Sequence, residues 1–301
     1  MRQECRLSII TVNYNGLQDT CAMLDSIPAD LPSTEVIVVD NASANDEATV
    51  LEQHYPNIRV IRSSENLGFA GGNNLGIKAA SGKYLYFVNN DTEFHPFNVE
   101  PLISRMENNP NIGMVCPKIR FYAPPRLIQF AGYTPLSAVT VRNHGIGCGE
   151  PDNGQHDTAH LTPYAHGAAM MARREAIERA GLMPEDYFLY YEELDWSVMI
   201  RRAGYEIWYE PASEIFHKES ATTGQNSPLR TYYIMRNRLL FVRRNGKGLK
   251  KALAYIYIIG IVSLRDIIRH TLSRRFDLVS ATINGVTDFI KGKFGKKELN
   301  D

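Results

Sequence analysis

The chain has 301 residues, 44% of them hydrophobic and 22% charged, with 33 basic and 33 acidic side chains. That is ordinary globular composition with enough apolar residues for a large core, which excludes a disordered or fibrous chain. The neutral total conceals an asymmetry: residues 230–301 hold 16 Lys and Arg against 5 Asp and Glu, while the remainder holds 17 against 28.

Taken in chain order, Leu7–Asn13 is an apolar run that reads as a strand, followed by a helical pattern over Thr20–Ile27. Val36–Asp40 is a second strand, ending in a carboxylate. A helix is expected over Ala44–His54, a third strand over Ile58–Arg62, a glycine-opened helix over Gly71–Ala80 and a fourth strand over Tyr84–Val88. This alternation predicts an α/β fold, a mostly parallel sheet flanked by helices. Asn13, Asp40 and Asp91 then lie at strand ends along one edge, where an open α/β sheet binds its ligand.

Residues 117–165 are rich in Pro, Gly, His and Asn and read as an inserted region with short β-like pieces at Lys118–Tyr122 and Ala138–Arg142. A strand is expected over His166–Ala172, and helices over Arg174–Ala180 and Glu192–Ala203, stopped by Gly181 and Gly204. Glu206–Glu210 and Glu214–His217 read as two extended pieces. The tail is expected to be helical and basic. Its apolar run Ala252–Leu264 is 13 residues long, short of the roughly 20 that span a bilayer. With Arg265, Arg269, Arg274 and Arg275 following, it suits either an amphipathic helix lying on an anionic membrane or a helix packed on the domain or in a homodimer. Four scattered cysteines (Cys5, Cys21, Cys116, Cys148) form no Cys-x-x-Cys pair. With no signal-peptide pattern at the N-terminus, this fits a reducing cytoplasm.

The chemistry concentrates at Asn89-Asn90-Asp91-Thr92, directly after the fourth strand. A strand-end carboxylate among amides and a hydroxyl can hold a hard cation, Mg²⁺ or Mn²⁺, shared with a substrate phosphate. Asp40 could accept the imide N–H of uracil or thymine, or cap the segment that follows it. Asn66–Asn74 supplies glycines where a backbone must approach a ligand, yet matches neither the dinucleotide fingerprint nor the P-loop.

Ser8–Gly16, Val38–Ser43, Asn66–Asn74, Asn89–Asp91 and Tyr190-Tyr-Glu-Glu-Leu-Asp-Trp196 occur in that order. Together they resemble the family 2 glycosyltransferases with a GT-A fold, especially their rhamnosyltransferase-like branch, over about residues 6–245. The resemblance implies inverting sugar transfer from a nucleotide diphosphate sugar, dTDP-rhamnose or a UDP-sugar, to a hydroxyl of a lipid-linked or polysaccharide acceptor in bacterial surface glycan synthesis. It implies that Thr11, Asn13 and Tyr14 line the nucleotide pocket, that Asp40 binds the base, and that Asn66, Gly71, Asn74 and Asn90 lie near the donor. Asp91 and His217 would hold the cation, although Asn89 replaces the first acid of the family's Asp-x-Asp motif. Glu193 would be the general base, with Asp195 the second candidate and Glu192 orienting the acceptor. Arg236 and Arg238 could neutralise a diphosphate or form a solvated basic helix. Residues 1–228 are then a catalytic domain with a nucleotide half (1–116) and an acceptor half (117–228), and 229–301 a helical basic extension at the cytoplasmic membrane face. A nucleotidyltransferase, which would carry a basic phosphate loop after strand one, and a non-catalytic nucleotide-sugar scaffold are the alternatives. A nucleic-acid partner is not expected from an acidic body without a binding motif.

Overall fold

A computed structural model describes residues 5–219 and 227–297; residues 1–4 and 220–226 of the expected catalytic domain and 298–301 of the extension lie outside them. The first half alternates as the sequence predicts: β1 (Leu7–Asn13), α1 (Leu17–Asp25), β2 (Thr34–Asp40), α2 (Glu47–His54), β3 (Arg59–Arg62), α3 (Gly68–Ala79) and β4 (Tyr84–Val88). These four strands are parallel in the order β3-β2-β1-β4. β4 is buried at every residue, as expected of a strand covered on both faces.

Beyond β4 the sheet becomes mixed. β5 (Thr92–Glu93), α4 (Glu100–Asn108), β6 (Ile112–Phe121), β7 (Ile128–Phe130), β8 (His160–Leu161), β9 (Ala169–Arg173), α5 (Arg174–Ala180), α6 (Glu192–Arg202) and β10 (Glu206–His217) follow in the chain. β9 inserts antiparallel between β4 and β6, and β10 runs parallel to β6 and antiparallel to β5. The two extended pieces expected near the end of this region are one strand, irregular between Glu210 and Glu214, where Pro211 offers no N–H. Ala138–Arg142 is not β-like. It closes on itself through Val141 N–H to the Ser137 carbonyl (2.8 Å) and Ser137 N–H to that of Arg142 (3.0 Å), so its backbone needs no strand partner. His166-Gly167 forms a tight turn before β9, with Ala169 N–H donating to the His166 carbonyl.

Glycines fix the layer spacing. A Cβ at Gly76 would lie 2.4 Å from Ile10 Cγ2, and one at Gly72 2.8 Å from Val12 Cγ1, so α3 rests directly on β1. In the tail, α7 (Pro228–Asn245) shares a core with α6: Leu239, Leu240 and Val242 pack with Val141, Tyr187, Leu194 and Val198. α8 (Gly248–Tyr255), a π-helical stretch (Ile256–Ser263) and α9 (Leu264–Leu272) then form one helical run, and α10 (Phe276–Ile290) returns along α7. Among the described residues no helix is long and apolar enough to cross a membrane.

Gly76→Ala is expected to lower stability by a net ~1–2 kcal/mol, because overpacking against a fully buried Ile10 outweighs the gain in helix propensity. Urea denaturation should show a lower midpoint with an unchanged slope.

Candidate active site

A cleft of about 690 Å³ opens at the C-terminal ends of β1 and β4. Its walls include Tyr14, Asn15 and Gly16 after β1, Asn41 after β2, Asn66, Gly68 and Phe69 at the start of α3, and Asn89, Asn90 and Asp91 after β4. Phe188, Leu189, Tyr190, His217 and Arg230 complete them. Of the residues expected at the donor, Tyr14, Asn66, Asn90, Asp91 and His217 are on this wall.

The others lie behind it. Parallel register sets Asn13 beside Asp40. Asn13 Nδ2 donates to Asp40 Oδ1 (2.9 Å) and Glu47 Oε2 (2.8 Å), while its Oδ1 accepts from Thr20 Oγ1 (2.7 Å). Thr20 Oγ1 in turn accepts from Asn90 Nδ2 at 3.0 Å. Asp40 Oδ1 also accepts from Ser43 Oγ (2.6 Å), and its Oδ2 takes only a long contact from Ser43 N–H (3.4 Å). This buried network ties the ends of β1 and β2 to Asn90 after β4 and supports the cleft floor. Thr11 is fully buried. Gly71 faces Leu67, the residue that precedes α3. Asn74 is spent on the main chain of Met183, donating to its carbonyl (2.9 Å) and accepting from its N–H (3.0 Å). Of the glycines of 66–74, Gly72 thus serves helix-on-strand packing, while Gly68 lines the cleft at φ +71° with the Phe188 carbonyl against it.

Asp91 and His217 are brought together by strand pairing. β5 sets Thr92 opposite His217, and Lys218 N–H donates to the Asp91 carbonyl (2.9 Å). His217 Nε2 lies 3.1 Å from Asp91 Oδ1, and His217 Nδ1 meets Gln129 Oε1 at 2.9 Å. With Nδ1 donating to that amide, Nε2 turns its lone pair towards the carboxylate, an arrangement that suits a cation between them. Two ligands at about 2.1 Å in adjacent octahedral positions sit about 3 Å apart, so the pair fits Mn²⁺ or Mg²⁺, and the imidazole favours Mn²⁺. No group of three or more His, Cys, Asp or Glu is gathered around a metal position among the described residues. Further ligands would have to come from substrate and water.

Glu193 is not among the residues that line the cleft, but Gly167 brings it close to Phe69, which is. A Cβ on Gly167 would lie 3.7 Å from Glu193 Cγ and 3.8 Å from the Phe69 ring. Burial pushes the Glu193 carboxyl up to about 7, against the pull of the backbone N–H groups at the α6 N-terminus. Burial, then repulsion from Glu193, raises Glu192 well above the carboxylate range, and Glu192 Oε2 has no hydrogen-bond partner among the described residues. Burial, and next the nearby His217, lowers His166 to about 3, so it stays neutral.

Asp195 is committed elsewhere. Its Oδ2 pairs with Arg244 Nε and accepts from Tyr187 Oη (3.2 Å), and its Oδ1 accepts from Asn245 Nδ2 (2.6 Å). Arg236 is neither solvated nor aimed at the cleft. It is buried and donates to the carbonyls of Tyr187 (2.8 Å) and Gly295 (2.7 Å). Asn237 Nδ2 reaches the carbonyls of Tyr187 (2.9 Å), Leu189 (2.7 Å) and Tyr190 (2.9 Å). These bonds hold a loop in which Phe188, Tyr190 and Tyr191 all have positive φ (64°, 70° and 78°) without glycine. Trp196 is core, its ring edge-on to Phe87.

Sequence reasoning missed the cleft roles of Asn41, Phe188, Leu189 and Arg230. Asn41 was findable, since it directly follows a strand end.

Residues 8–181 match the family described as glycosyl transferase family 2. The chain belongs to this family. It is similar to the low-salt glycan biosynthesis hexosyltransferase Agl10 of Haloferax volcanii, 25% identical over 97% of this chain and 93% of that protein. It is also similar to the N-acetylglucosaminyl-diphospho-decaprenol L-rhamnosyltransferase of Mycobacterium tuberculosis, 25% identical over 73% of this chain and 78% of that one. The latter meets the expected likeness to the rhamnosyltransferase-like branch. Among solved structures, the mannosyltransferase PcManGT from Pyrobaculum calidifontis, in complex with GDP-Man and Mn²⁺, matches with a TM-score of 0.57 at 16% identity over 97% of this chain and 89% of that one. The fold is GT-A, as the family resemblance implies.

Asn237→Ala is expected to cost about 2–3 kcal/mol, because it strips partners from buried carbonyls of a strained loop. Thermal unfolding should show the loss, and calorimetry should show weakened nucleotide binding, since Phe188, Leu189 and Tyr190 line the cleft.

Proposed function

We propose that this family 2 glycosyltransferase transfers a sugar, with inversion, from a nucleotide diphosphate sugar to an acceptor hydroxyl, and that it requires a divalent cation. The observation that carries this reading is the Asp91–His217 pair on the cleft wall, spaced to share a cation, with Glu193 supplied nearby at the start of α6, beside Gly167. The nucleotide lies along the ends of β1 and β2, where Tyr14, Asn15 and Asn41 face the cleft, with Asp40 held behind them by Asn13 and Ser43. The diphosphate sits over Asn90 and Asp91. A bound cation would take up charge on the departing diphosphate as a Lewis acid. From the opposite side the acceptor oxygen attacks the anomeric carbon, the bond to the diphosphate oxygen breaks, and the acceptor proton passes to the Glu193 carboxylate. Glu192, kept neutral by burial, neighbours that base and would help orient the acceptor. Asp195 braces α6 against α7.

The donor is dTDP-rhamnose or a UDP-sugar and the acceptor a lipid-linked glycan. The similarity to the M. tuberculosis rhamnosyltransferase, whose name specifies a diphospho-decaprenol acceptor, supports this choice. The enzyme would then work at the cytoplasmic membrane face.

Glu193→Gln is expected to lower transfer by ~10²-fold or more while donor affinity stays near wild type. Near-normal turnover in that variant would remove Glu193 from the mechanism. Because the working base is the carboxylate, wild-type kcat/KM should fall as pH drops below about 7. The stability linkage runs the other way. A carboxyl raised from 4.5 to about 7 on folding costs nothing below 4.5, and its cost grows as pH rises through about 7. Glu193→Gln should therefore raise the Tm at about pH 8 and leave it unchanged near pH 4.

Asp91→Asn should abolish Mn²⁺-dependent release of nucleotide diphosphate from the donor, read by product chromatography with and without EDTA. Retained, EDTA-sensitive release in the variant would place the cation elsewhere.

A further inference from the structure

A second cavity, of about 160 Å³ and under a quarter of the donor cleft's volume, lies between the 137–142 turn, α7, α9 and α10. Four arginines line it: Arg142, Arg230, Arg238 and Arg269. Arg238 forms its floor and is only 4% exposed. Its Nη2 donates to the Thr140 carbonyl and its guanidinium lies 5.9 Å from the Tyr257 ring centre, while its Nε is buried with no hydrogen-bond partner among the described residues. Arg142 and Arg269 are exposed at the mouth. The one carboxylate in the lining, Asp266, is already held by Arg265 through bonds of 3.0 and 2.7 Å. Burial first, and then Arg142 and Arg265, hold the Arg238 pKa below its ordinary value. His270, also in the lining, is buried and lowered by burial and Arg269.

Like charges do not gather around a buried N–H donor without an anion to balance them. Guanidinium groups are the side chains best suited to phosphate oxygens. We propose that this pocket binds a phosphate group, with Arg238 Nε–H donating from the floor and Arg142 and Arg269 closing over it. The neighbouring surface indicates where that phosphate comes from. Leu264, Ile268 and Leu272 form an exposed apolar row on α9, and Arg265 and Arg269, each one position further on, lie about 100° around the helix beside that row. An apolar row bordered by arginines suits the level of the headgroups in an anionic bilayer. A soluble phosphate ester would offer the pocket the same chemistry.

The test uses the full chain and the charge-reversal pair Arg142→Glu/Arg269→Glu, both at exposed positions. Pyrophosphate is titrated calorimetrically in EDTA, so that cation-assisted binding at Asp91 and His217 does not contribute. Wild type should bind, and the pair should bind at least about tenfold more weakly while donor hydrolysis is unchanged. Flotation with vesicles of phosphatidylcholine alone or mixed with phosphatidylglycerol separates the two sources. Binding to the mixed vesicles only, lost in the pair and displaced by pyrophosphate, identifies a lipid phosphate. Pyrophosphate binding without flotation identifies a soluble ligand at the same site. Equal pyrophosphate affinity in wild type and the pair, or no binding in wild type, overturns the proposal.

Discussion

Much of the site rests on the grip of α7 on the segment 186–195. Asn237 holds the carbonyls of Tyr187, Leu189 and Tyr190, Arg236 holds those of Asp186 and Tyr187, and Arg244 with Asn245 holds Asp195. The segment they restrain supplies one wall of the cleft and then opens the helix that carries Glu193. Three non-glycine residues at positive φ would relax were those carbonyls released. The tail is therefore part of the catalytic body in an energetic sense. The helix that braces the cleft wall also contributes Arg230 and Arg238 to the basic cavity.

The opposite wall uses a different device. Parallel register places Asn13 beside Asp40, and Asn13, Thr20, Glu47, Ser43 and Asn90 then satisfy one another. A buried polar network so densely paired is rigid, and it fixes the height of Asn90 and Gly16 at the cleft floor. The cost of burying these groups is met within the protein, so the floor exists before any nucleotide arrives, which is the preorganisation that transfer chemistry requires.

How much of this was legible in the sequence follows from which interactions are local. The strand ends at Asn13, Asp40 and Asp91 were readable because an apolar run that stops at a polar residue is a local pattern. The start of α6 was readable for the same reason. Whether a strand-end carboxylate faces a ligand or a neighbour was not: Asp40 and Asp91 look alike in sequence, yet one is engaged by Asn13 and Ser43 and the other meets His217. Gln129, which sets the His217 ring, comes from the inserted region, 88 residues away. Asp195 reads as a catalytic candidate beside Glu193 until Arg244, 49 residues later, folds onto it. The left-handed backbone at Phe188, Tyr190 and Tyr191 carries no glycine to announce it, because its support is supplied from α7.

The π-helical stretch Ile256–Ser263 has a geometrical consequence for the outer face of the tail. Leu249, Leu253 and Ile256 are exposed before or at its start, and Leu264, Ile268 and Leu272 after it. In an uninterrupted α-helix those two rows would be out of phase by about a quarter of a turn. The wider winding of a π-helix, bonded five residues apart, takes up that angle, and Ile261 follows Ile256 at the five-residue step. The run from α8 to α9 thus turns its two exposed apolar rows towards a common face, where regular winding would have given two short facets looking in different directions.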